Sequence, residues 1–528
     1  MLLTLAAISL HVMAATSGGG LWRDEANTVG LATLPELRDV WDNLPSDSFP
    51  MLWLLIIRAF SAVFGQLNDP AFRVLGFVVG VGVVGALWLN ARTFRHSLPL
   101  ISLALIGLSP SMIRWGDTVR AYGFGILLIL VTCALLWRFL ERPGVTRFAA
   151  TAAAAIASVN VLYYNAVLLL AFCAGAVAVC VHRRRWKQAA AVVLVGVLAA
   201  ISLAPYAPTI LRMGQWTAVV RMPDYTLGWF WTKLNESLGP GGPWTLAVWS
   251  ALLALSVAAG LLAVGFPKRL ALSESRREVV LFSLVSLLVG VPGNYLFLKT
   301  LSYYTNPWYY LALLALTALC IDALLGALIQ TRGVRIARIA GTLLLLTATI
   351  IPTRRAVRTR LTDVDLVAAR LEAVARPGDL VLVSPWHYGV SFNRYYHGAA
   401  AWMTVPPLAF HRFVRYDLLV DNMTMPDQTA PVRPVRERAE EVLRSGHRVF
   451  VVGLLLFPVP GHEPPVLPPA RPRTKSLPEG DYQNQWLTMV GDFIQRHAAG
   501  IAPVSVEADR VVSRYENLSI QVVEGWRP

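Results

Sequence analysis

Apolar runs long enough to cross a membrane recur along the first 350 residues of this 528-residue chain. A helix needs roughly 20 apolar residues to cross about 30 Å of hydrocarbon. The pattern predicts eleven spanning helices, at residues 1–17, 72–91, 97–112, 119–138, 146–161, 163–181, 188–209, 244–266, 279–298, 307–328 and 336–352. The chain is therefore expected to form a helical polytopic membrane protein.

After residue 360 short apolar stretches alternate with polar ones, which is typical of a soluble α/β domain. The predicted elements are a helix over 364–375, strands over 380–383 and 448–453, a proline-rich loop over 458–480, a helix over 483–498 and closing strands within 504–523. We expect two parts: a transmembrane module over 1–355 and an external α/β domain over 356–528.

One further apolar segment, residues 49–65, complicates the count. It is apolar enough to span, but Arg58 lies in its middle. If it crossed the membrane, Asp24 would lie on the opposite side from Asp117. With Pro50 at its first turn, we predict an interfacial helix in the first external loop. The alternative is an ordinary spanning helix with an inverted first hairpin.

Loops rich in arginine and lysine alternate with loops poor in them, and the rich loops are 92–96, 138–147, 182–187, 268–277 and 332–338. Such loops stay in the cytoplasm. This predicts a multi-pass protein of the bacterial inner membrane with a cytoplasmic N-terminus and a periplasmic or extracellular C-terminal domain. The first segment lacks a basic start and is expected to be a retained helix, with a cleaved signal peptide as the alternative.

Composition agrees with this class, because hydrophobic residues make up 55% of the chain, charged residues 15%, and the mean hydropathy is +0.52. Soluble proteins carry about 25% charged residues. The net charge of +15 is explained by the basic loops, so no nucleic-acid partner is expected. The four cysteines fall in apolar runs and show no spacing for disulfides or a metal.

Candidate chemistry gathers in the loops predicted to be external. Adjacent carboxylates at a membrane edge, here Asp24 and Glu25, are costly and mark a candidate site. Carboxylates, cations and aromatic rings at one interface suit a substrate with a lipid tail, an anionic head and a polar group to be transferred; the other members are Asp117, Arg120, Tyr122, Arg212, Lys299 and Tyr304. The alternatives are helix capping by the two acids and an interfacial role for Arg120.

Four short motifs carry a family resemblance: Trp-Arg-Asp-Glu-Ala at 22–26, Ser-Phe-Pro-Met-Leu-Trp at 48–53, Asn-Asp-Pro-Ala-Phe-Arg at 68–73 and Asp-Thr-Val-Arg-Ala-Tyr at 117–122. In order and spacing they resemble the GT-C class of polytopic glycosyltransferases, which includes the protein O-mannosyltransferase and lipid A aminoarabinose transferase superfamily. The chain departs from that pattern at Phe49, where the family has histidine, and at Thr118, where it has glutamate. It also lacks the late Arg-Tyr pair.

The resemblance implies an inverting transfer of a hexosyl or pentosyl group from a polyprenyl-phosphate donor to a lipid, glycan or protein acceptor at the external face. It assigns the general base to Asp24. The other candidates would orient the acceptor or hold a divalent ion (Glu25, Asp117), bind phosphate (Arg120, Lys299, Arg212) or line the sugar and isoprenoid path (Tyr122, Tyr304). The sequence requires no metal or other cofactor.

Two other functions remain open at this point. A transporter or flippase for a lipid-linked saccharide would place charges deep in helices and would show related halves. An interaction protein whose external domain is the working part would leave the loops around Asp24 and Arg120 unexplained.

Overall fold

The structure is a computed structural model that describes residues 1–47, 49–95, 98–214, 217–222, 224–239, 243–266, 272–328, 332–459, 466–471 and 477–528. Ser48 of the second motif, His96 and Lys268 of the basic loops, and part of the proline-rich loop lie outside these ranges.

Each predicted span coincides with a helix or a broken helix. In chain order the helices are α1 (Leu2–Ser17), α2 (Arg23–Ala32), α3 (Leu37–Asp42), α4 (Met51–Phe64), α5 (Asp69–Thr93), α6 (Leu100–Ser102), α7 (Pro110–Gly116), α8 (Ala121–Glu141), α9 (Val145–Val161), α10 (Asn165–His182), α11 (Trp186–Ser202), α12 (Ala207–Met213), α13 (Leu227–Ser237), α14 (Pro243–Gly265), α15 (Glu274–Leu301), α16 (Leu311–Leu328) and α17 (Arg332–Val357). Within the described chain, seven helical stretches are long and apolar enough to cross a membrane, and α1, α4 and α9 are shorter apolar helices.

The predicted span over 97–112 is broken. It consists of α6, a five-residue π-helix at Leu103–Gly107 and α7. Proline has no backbone N–H to continue a helix, and Pro110 opens α7 at its first position. The Ser109 side chain caps the new helix by accepting the Met112 N–H at 3.2 Å.

The segment predicted to be an interfacial helix forms the short apolar helix α4. Its 14 residues extend about 21 Å, which is short of the hydrocarbon thickness. The Arg58 guanidinium does not lie alone in the apolar helix, because it donates to the Leu34 carbonyl at 2.5 Å and the Pro35 carbonyl at 2.7 Å. Phe49, just before the helix, packs edge-on against Tyr122, with ring centroids 5.1 Å apart.

The two ends of the helical bundle differ in charge and in what packs on them. At one end Arg95 contacts Glu141 at 3.1 Å and His182 contacts Glu274 at 2.6 Å. This end carries the basic loops and is called the basic face. The opposite end, where residues 18–68 and the C-terminal sheet gather, is called the domain face.

The C-terminal part forms a five-stranded sheet in the order β2-β1-β3-β5-β4. Its strands are β1 (Leu380–Ser384), β2 (Ala401–Thr404), β3 (Val449–Gly453), β4 (Ala498–Val504) and β5 (Ile520–Trp526). Strand β1 is parallel to β2 and β3, with Leu380 opposite Val449, and β5 is antiparallel to β3 and β4. The α-helices in the described residues of this part are α18 (Val364–Val374), α19 (Gly389–Tyr395), α20 (Tyr416–Thr424), α21 (Arg433–Arg444) and α22 (Glu479–His497).

The α/β character is as predicted, but two details differ. The predicted closing strands at 504–523 are wrong over 505–519, which form a loop between β4 and β5. The short strand β2 was not predicted. Its four residues include only one fully buried position, so they show no clear alternation of buried and exposed side chains. The sheet domain is tied to the helices, because Arg394 pairs with Asp69 at 2.5 Å and Asn27 accepts the Val414 N–H at 2.7 Å.

Candidate functional site

The acidic pair sits in the first turn of α2, where carboxylates favour the exposed backbone N–H groups. Glu25 accepts the Trp22 N–H at 3.2 Å and so closes that turn. Successive residues on a helix point about 100° apart, so the two acids face different surroundings. Asp24 keeps 20% of its side chain exposed, and Glu25 keeps none.

Glu25 is a buried anchor between three segments. It forms a two-pronged ion pair with Arg73 of α5, at 2.7 and 3.0 Å. It also accepts the Val119 N–H at 2.8 Å, from the loop between α7 and α8. Both carboxylate oxygens are thereby engaged by protein donors.

Asp117 is also buried, with 7% of its side chain exposed. Its Oδ2 lies 2.6 Å from His11 Nδ1 of α1. The loop packs directly on α5, because a Cβ added to Gly76 would lie 1.8 Å from the Asp117 carbonyl oxygen. Asp117 therefore joins three helices and does not line the cavity described next.

A cavity of about 520 Å³ opens between the helices and the sheet domain on the domain face. Four of the predicted site residues line it: Asp24, Arg120, Tyr122 and Tyr304. Among its other lining residues are Arg23, Asn27, Asp47, Arg221, Tyr303, Asn306, Trp308, Tyr309, Tyr416 and Glu479. The wall thus combines carboxylates, guanidinium groups and aromatic rings.

Arg120 is held by a carboxylate that the sequence analysis missed. Its guanidinium pairs with Asp47 at 3.0 Å and donates to the Thr28 hydroxyl at 2.6 Å. It also donates to the Asp24 carbonyl at 3.1 Å and lies 4.4 Å above the Phe49 ring. Asp47 directly precedes the second motif at 48–53, and that adjacency is the sequence signal that could have marked it.

The two remaining predicted cations, Arg212 and Lys299, do not line this cavity. Arg212 is exposed and reaches the Asp42 carbonyl at 3.4 Å, and Lys299 lies 5.9 Å from the Tyr295 ring centroid. Instead, the loop between α12 and α13 brings Arg221 to the cavity. Its segment is bonded to residues 302–304, because Met222 N–H donates to the Ser302 carbonyl at 2.7 Å.

The sheet domain supplies one wall of the cavity through Tyr416 and Glu479. Burial raises the pKa of Tyr416 to about 12, and the neighbouring Arg23 partly opposes that shift. Burial likewise raises the pKa of Glu479, against a hydrogen bond from Trp386. Behind this wall Glu516 accepts the Arg23 N–H at 2.9 Å and the Ser391 hydroxyl at 2.5 Å. Burial raises the pKa of Glu516 to about 7 despite these contacts.

Metal-ligating side chains do not cluster in the part of the chain that the structure describes, since no group of three or more His, Cys, Asp or Glu lies close enough to hold an ion. The four cysteines are buried free thiols.

Fold and cavity together define a polytopic membrane protein whose sheet domain closes a charged cavity at one end of a helical bundle. The similarity to solved structures is one of fold, and it agrees with the predicted GT-C-like fold. In particular, the chain is similar to the crystal structure of ArnT from Cupriavidus metallidurans bound to undecaprenyl phosphate. The match covers 99% of this chain and 97% of that one, with a TM-score of 0.50 and 10% sequence identity.

Another similar structure is that of the oligosaccharyltransferase AglB from Archaeoglobus fulgidus in complex with an inhibitory peptide and a dolichol-phosphate. That match covers 85% of this chain and 69% of the other, with a TM-score of 0.44 and 12% sequence identity. No protein-family model matches the chain. No curated protein matches it by sequence.

Proposed function

We propose that this protein is a membrane glycosyltransferase that moves a sugar from a polyprenyl-phosphate donor to an acceptor. The observation that carries the proposal is Asp24, the only one of the three predicted catalytic carboxylates that faces the cavity. The fold supports the same reading, because the similar ArnT structure is bound to undecaprenyl phosphate. A phosphate-linked lipid donor suits a cavity at the end of a helical bundle.

In the proposed reaction Asp24 is the general base. It takes the proton of an acceptor hydroxyl while that oxygen attacks the anomeric carbon, and the bond from that carbon to the phosphate oxygen breaks with inversion. Arg23 Nε donates to Asp24 Oδ1 at 3.0 Å, and the helix N-terminus lies alongside. The hydrogen bond from Arg23 fixes the orientation of the Asp24 carboxylate. General base catalysis of this kind typically contributes roughly 10²–10⁴ in rate.

The departing phosphate is assigned to Arg221. Arg120 was the first expectation, but its terminal nitrogens already serve Asp47, Thr28 and the Asp24 carbonyl. We therefore assign Arg120 to positioning Asp24. The aromatic residues of the wall, Tyr122 and Tyr304 among them, would contact the sugar ring or the first isoprenoid units.

The proposed orientation follows from charge. The basic face would lie in the cytoplasm by the positive-inside rule, and the cavity would open on the external side of a bacterial inner membrane. We retain the division into a transmembrane module over 1–355 and an external domain over 356–528. Since the external domain contributes Tyr416 and Glu479 to the cavity wall, it would help bind the acceptor.

The test uses membranes containing the full chain and a panel of radiolabelled polyprenyl-phosphate sugars, with label transfer as the readout. Asp24→Asn should reduce transfer by at least about 10²-fold at unchanged protein level. Asp42→Asn is the matched control, because that aspartate is about half exposed and lies outside the cavity. Undiminished transfer by Asp24→Asn would remove the assignment of the base. Movement of the lipid-linked sugar across the bilayer without transfer would favour the flippase.

A second pair of variants tests the phosphate ligand. Arg221→Gln should lower transfer and weaken donor binding, seen as a raised KM for the donor. Lys299→Gln should leave both unchanged, because Lys299 does not line the cavity. The reverse result would return the phosphate to Lys299.

A further inference from the structure

A second, larger cavity of about 1310 Å³ lies on the domain face, beside the ends of α1, α7 and α17. One of its walls is the loop before β5. Among the described residues, five arginines and one carboxylate, Glu236, line it; the arginines are Arg114, Arg355, Arg358, Arg510 and Arg514. A concave surface with such an excess of one charge attracts an anion. We call it the arginine groove.

Arg114 is the strongest sign of a missing partner. Its Nε and Nη2 atoms are buried and have no hydrogen-bond partner. Its guanidinium lies 5.2 Å from the Trp115 ring centroid. A buried donor without an acceptor is costly, and a guanidinium more so than a neutral group. An anion with several acceptor oxygens would remove that cost, and a phosphate matches the planar fork of arginine.

Two of the other arginines, Arg355 and Arg358, have capacity to spare. Arg510 is already engaged, because it pairs with Asp509 at 3.2 Å and donates to the Thr16 carbonyl at 2.9 Å. Within the described ranges, no carboxylate forms an ion pair with Arg355 or Arg358, which lie one turn apart near the end of α17. Both are exposed, so they can meet a ligand without any rearrangement of the core.

An apolar crevice continues from the groove into the bundle. It is a small cavity of about 40 Å³ that shares Pro110 with the groove and lies between α7, α14 and α17, lined by Leu108, Trp244, Val248 and Leu345. An anionic group held at the helix ends, with its apolar chains in the bilayer beside those helices, is the arrangement that a phospholipid would take. We propose that the arginine groove binds the phosphate headgroup of an anionic membrane lipid.

This site is separate from the Asp24 cavity. An aromatic wall divides the two: Trp308 lines the Asp24 cavity, whereas Trp115 and Tyr515 line the groove. The Trp308 ring centroid lies 4.7 Å from that of Trp115 and 5.4 Å from that of Tyr515. The lipid would therefore bind beside the reaction site without entering it, and its binding does not depend on glycosyl transfer.

The experiment uses the purified full chain in an uncharged detergent. Thermal unfolding and native mass spectrometry follow the addition of phosphatidylglycerol, phosphatidylcholine or inorganic phosphate. We expect phosphatidylglycerol to bind and to raise the melting temperature, and the double variant Arg355→Gln/Arg358→Gln to weaken that binding by about tenfold or more. The matched control is Arg276→Gln/Arg277→Gln on the basic face, which should bind as the wild type does.

Three results would overturn the proposal. Equal stabilisation by phosphatidylcholine would show that the headgroup charge is not recognised. Equal stabilisation by inorganic phosphate would identify a free-anion site. Equal loss in the two double variants would indicate a general charge effect.

Arg114→Gln gives an independent test. If Arg114 awaits a ligand, the variant without lipid should melt no lower than the wild type and should lose the stabilisation by phosphatidylglycerol. A lower melting temperature with intact lipid stabilisation would mean that Arg114 only packs against Trp115.

Discussion

Replacement of Glu25 by glutamine separates a structural from a catalytic role for the second acid of the pair. In the wild type its carboxylate accepts four hydrogen bonds, two from Arg73 and one each from the Trp22 and Val119 N–H groups. Glutamine keeps one acceptor oxygen, but its amide NH2 group would face N–H donors that the second carboxylate oxygen accepts in the wild type. It also leaves the Arg73 guanidinium, 8% exposed, without a counter-charge.

The expected loss follows from the burial of both partners. Removing one member of a buried ion pair typically costs about 3–5 kcal/mol. With an unfolding entropy of roughly 2.1 cal/mol/K per residue over 528 residues, this corresponds to a fall in Tm of about 3–5 °C, provided that the chain unfolds as one unit. Transfer activity should fall in parallel, because Asp24 shares the first turn of α2.

Unfolding can be followed with a thiol-reactive dye, since Cys133, Cys173, Cys180 and Cys320 are all buried and become reactive only when the bundle opens. Glu274→Gln is the control: its carboxylate is 65% exposed, pairs with His182 on the basic face, and should contribute almost nothing. If Glu25→Gln melts like the wild type but no longer transfers sugar, the anchor role is refuted and Glu25 belongs to the chemistry.

Two further predictions concern the surroundings of the cavity. Because burial raises the pKa of Glu516 from 4.5 to about 7, its contribution to stability is complete below about pH 4.5 and is lost as the pH rises to 7. Glu516→Gln should remove this fall, so that between pH 5 and 8 the free energy of unfolding of the variant rises by up to about 3 kcal/mol relative to that of the wild type. An equal change of Tm with pH in the two proteins would contradict the assignment. Asp47→Asn should lower both Tm and transfer, since Arg120 then lacks its ion-pair partner, and adding Arg120→Gln should cost little more. Additive losses would show that the two residues act separately.

Much of the helical framework could be predicted, since backbone groups in hydrocarbon must be satisfied within the chain and long apolar runs have few alternatives to helices. Local exceptions came from single residues. Pro110 divides one span, and Arg58 within the apolar α4 is satisfied by the Leu34 and Pro35 carbonyls. The break was not predicted, because the apolar run itself continues through it.

The candidate site was only partly predictable. The resemblance selected Asp24 and Arg120, and both line the cavity. Arg212 and Lys299 lie in the expected loops but outside the cavity, because loop membership does not determine which way a side chain points. Asp47 lies one residue outside the second motif, and its role depends on the approach of Arg120.

By itself, the sequence determined that this is a helical membrane protein with a sheet domain at its C-terminus, because hydrophobic length and loop charge are properties of local composition. The tertiary structure alone decided how the adjacent acids Asp24 and Glu25 differ. Arg73, 48 residues further along the chain, pairs with Glu25 inside the bundle, and the cavity is left to Asp24. Such a choice depends on contacts between distant segments, which no local pattern records.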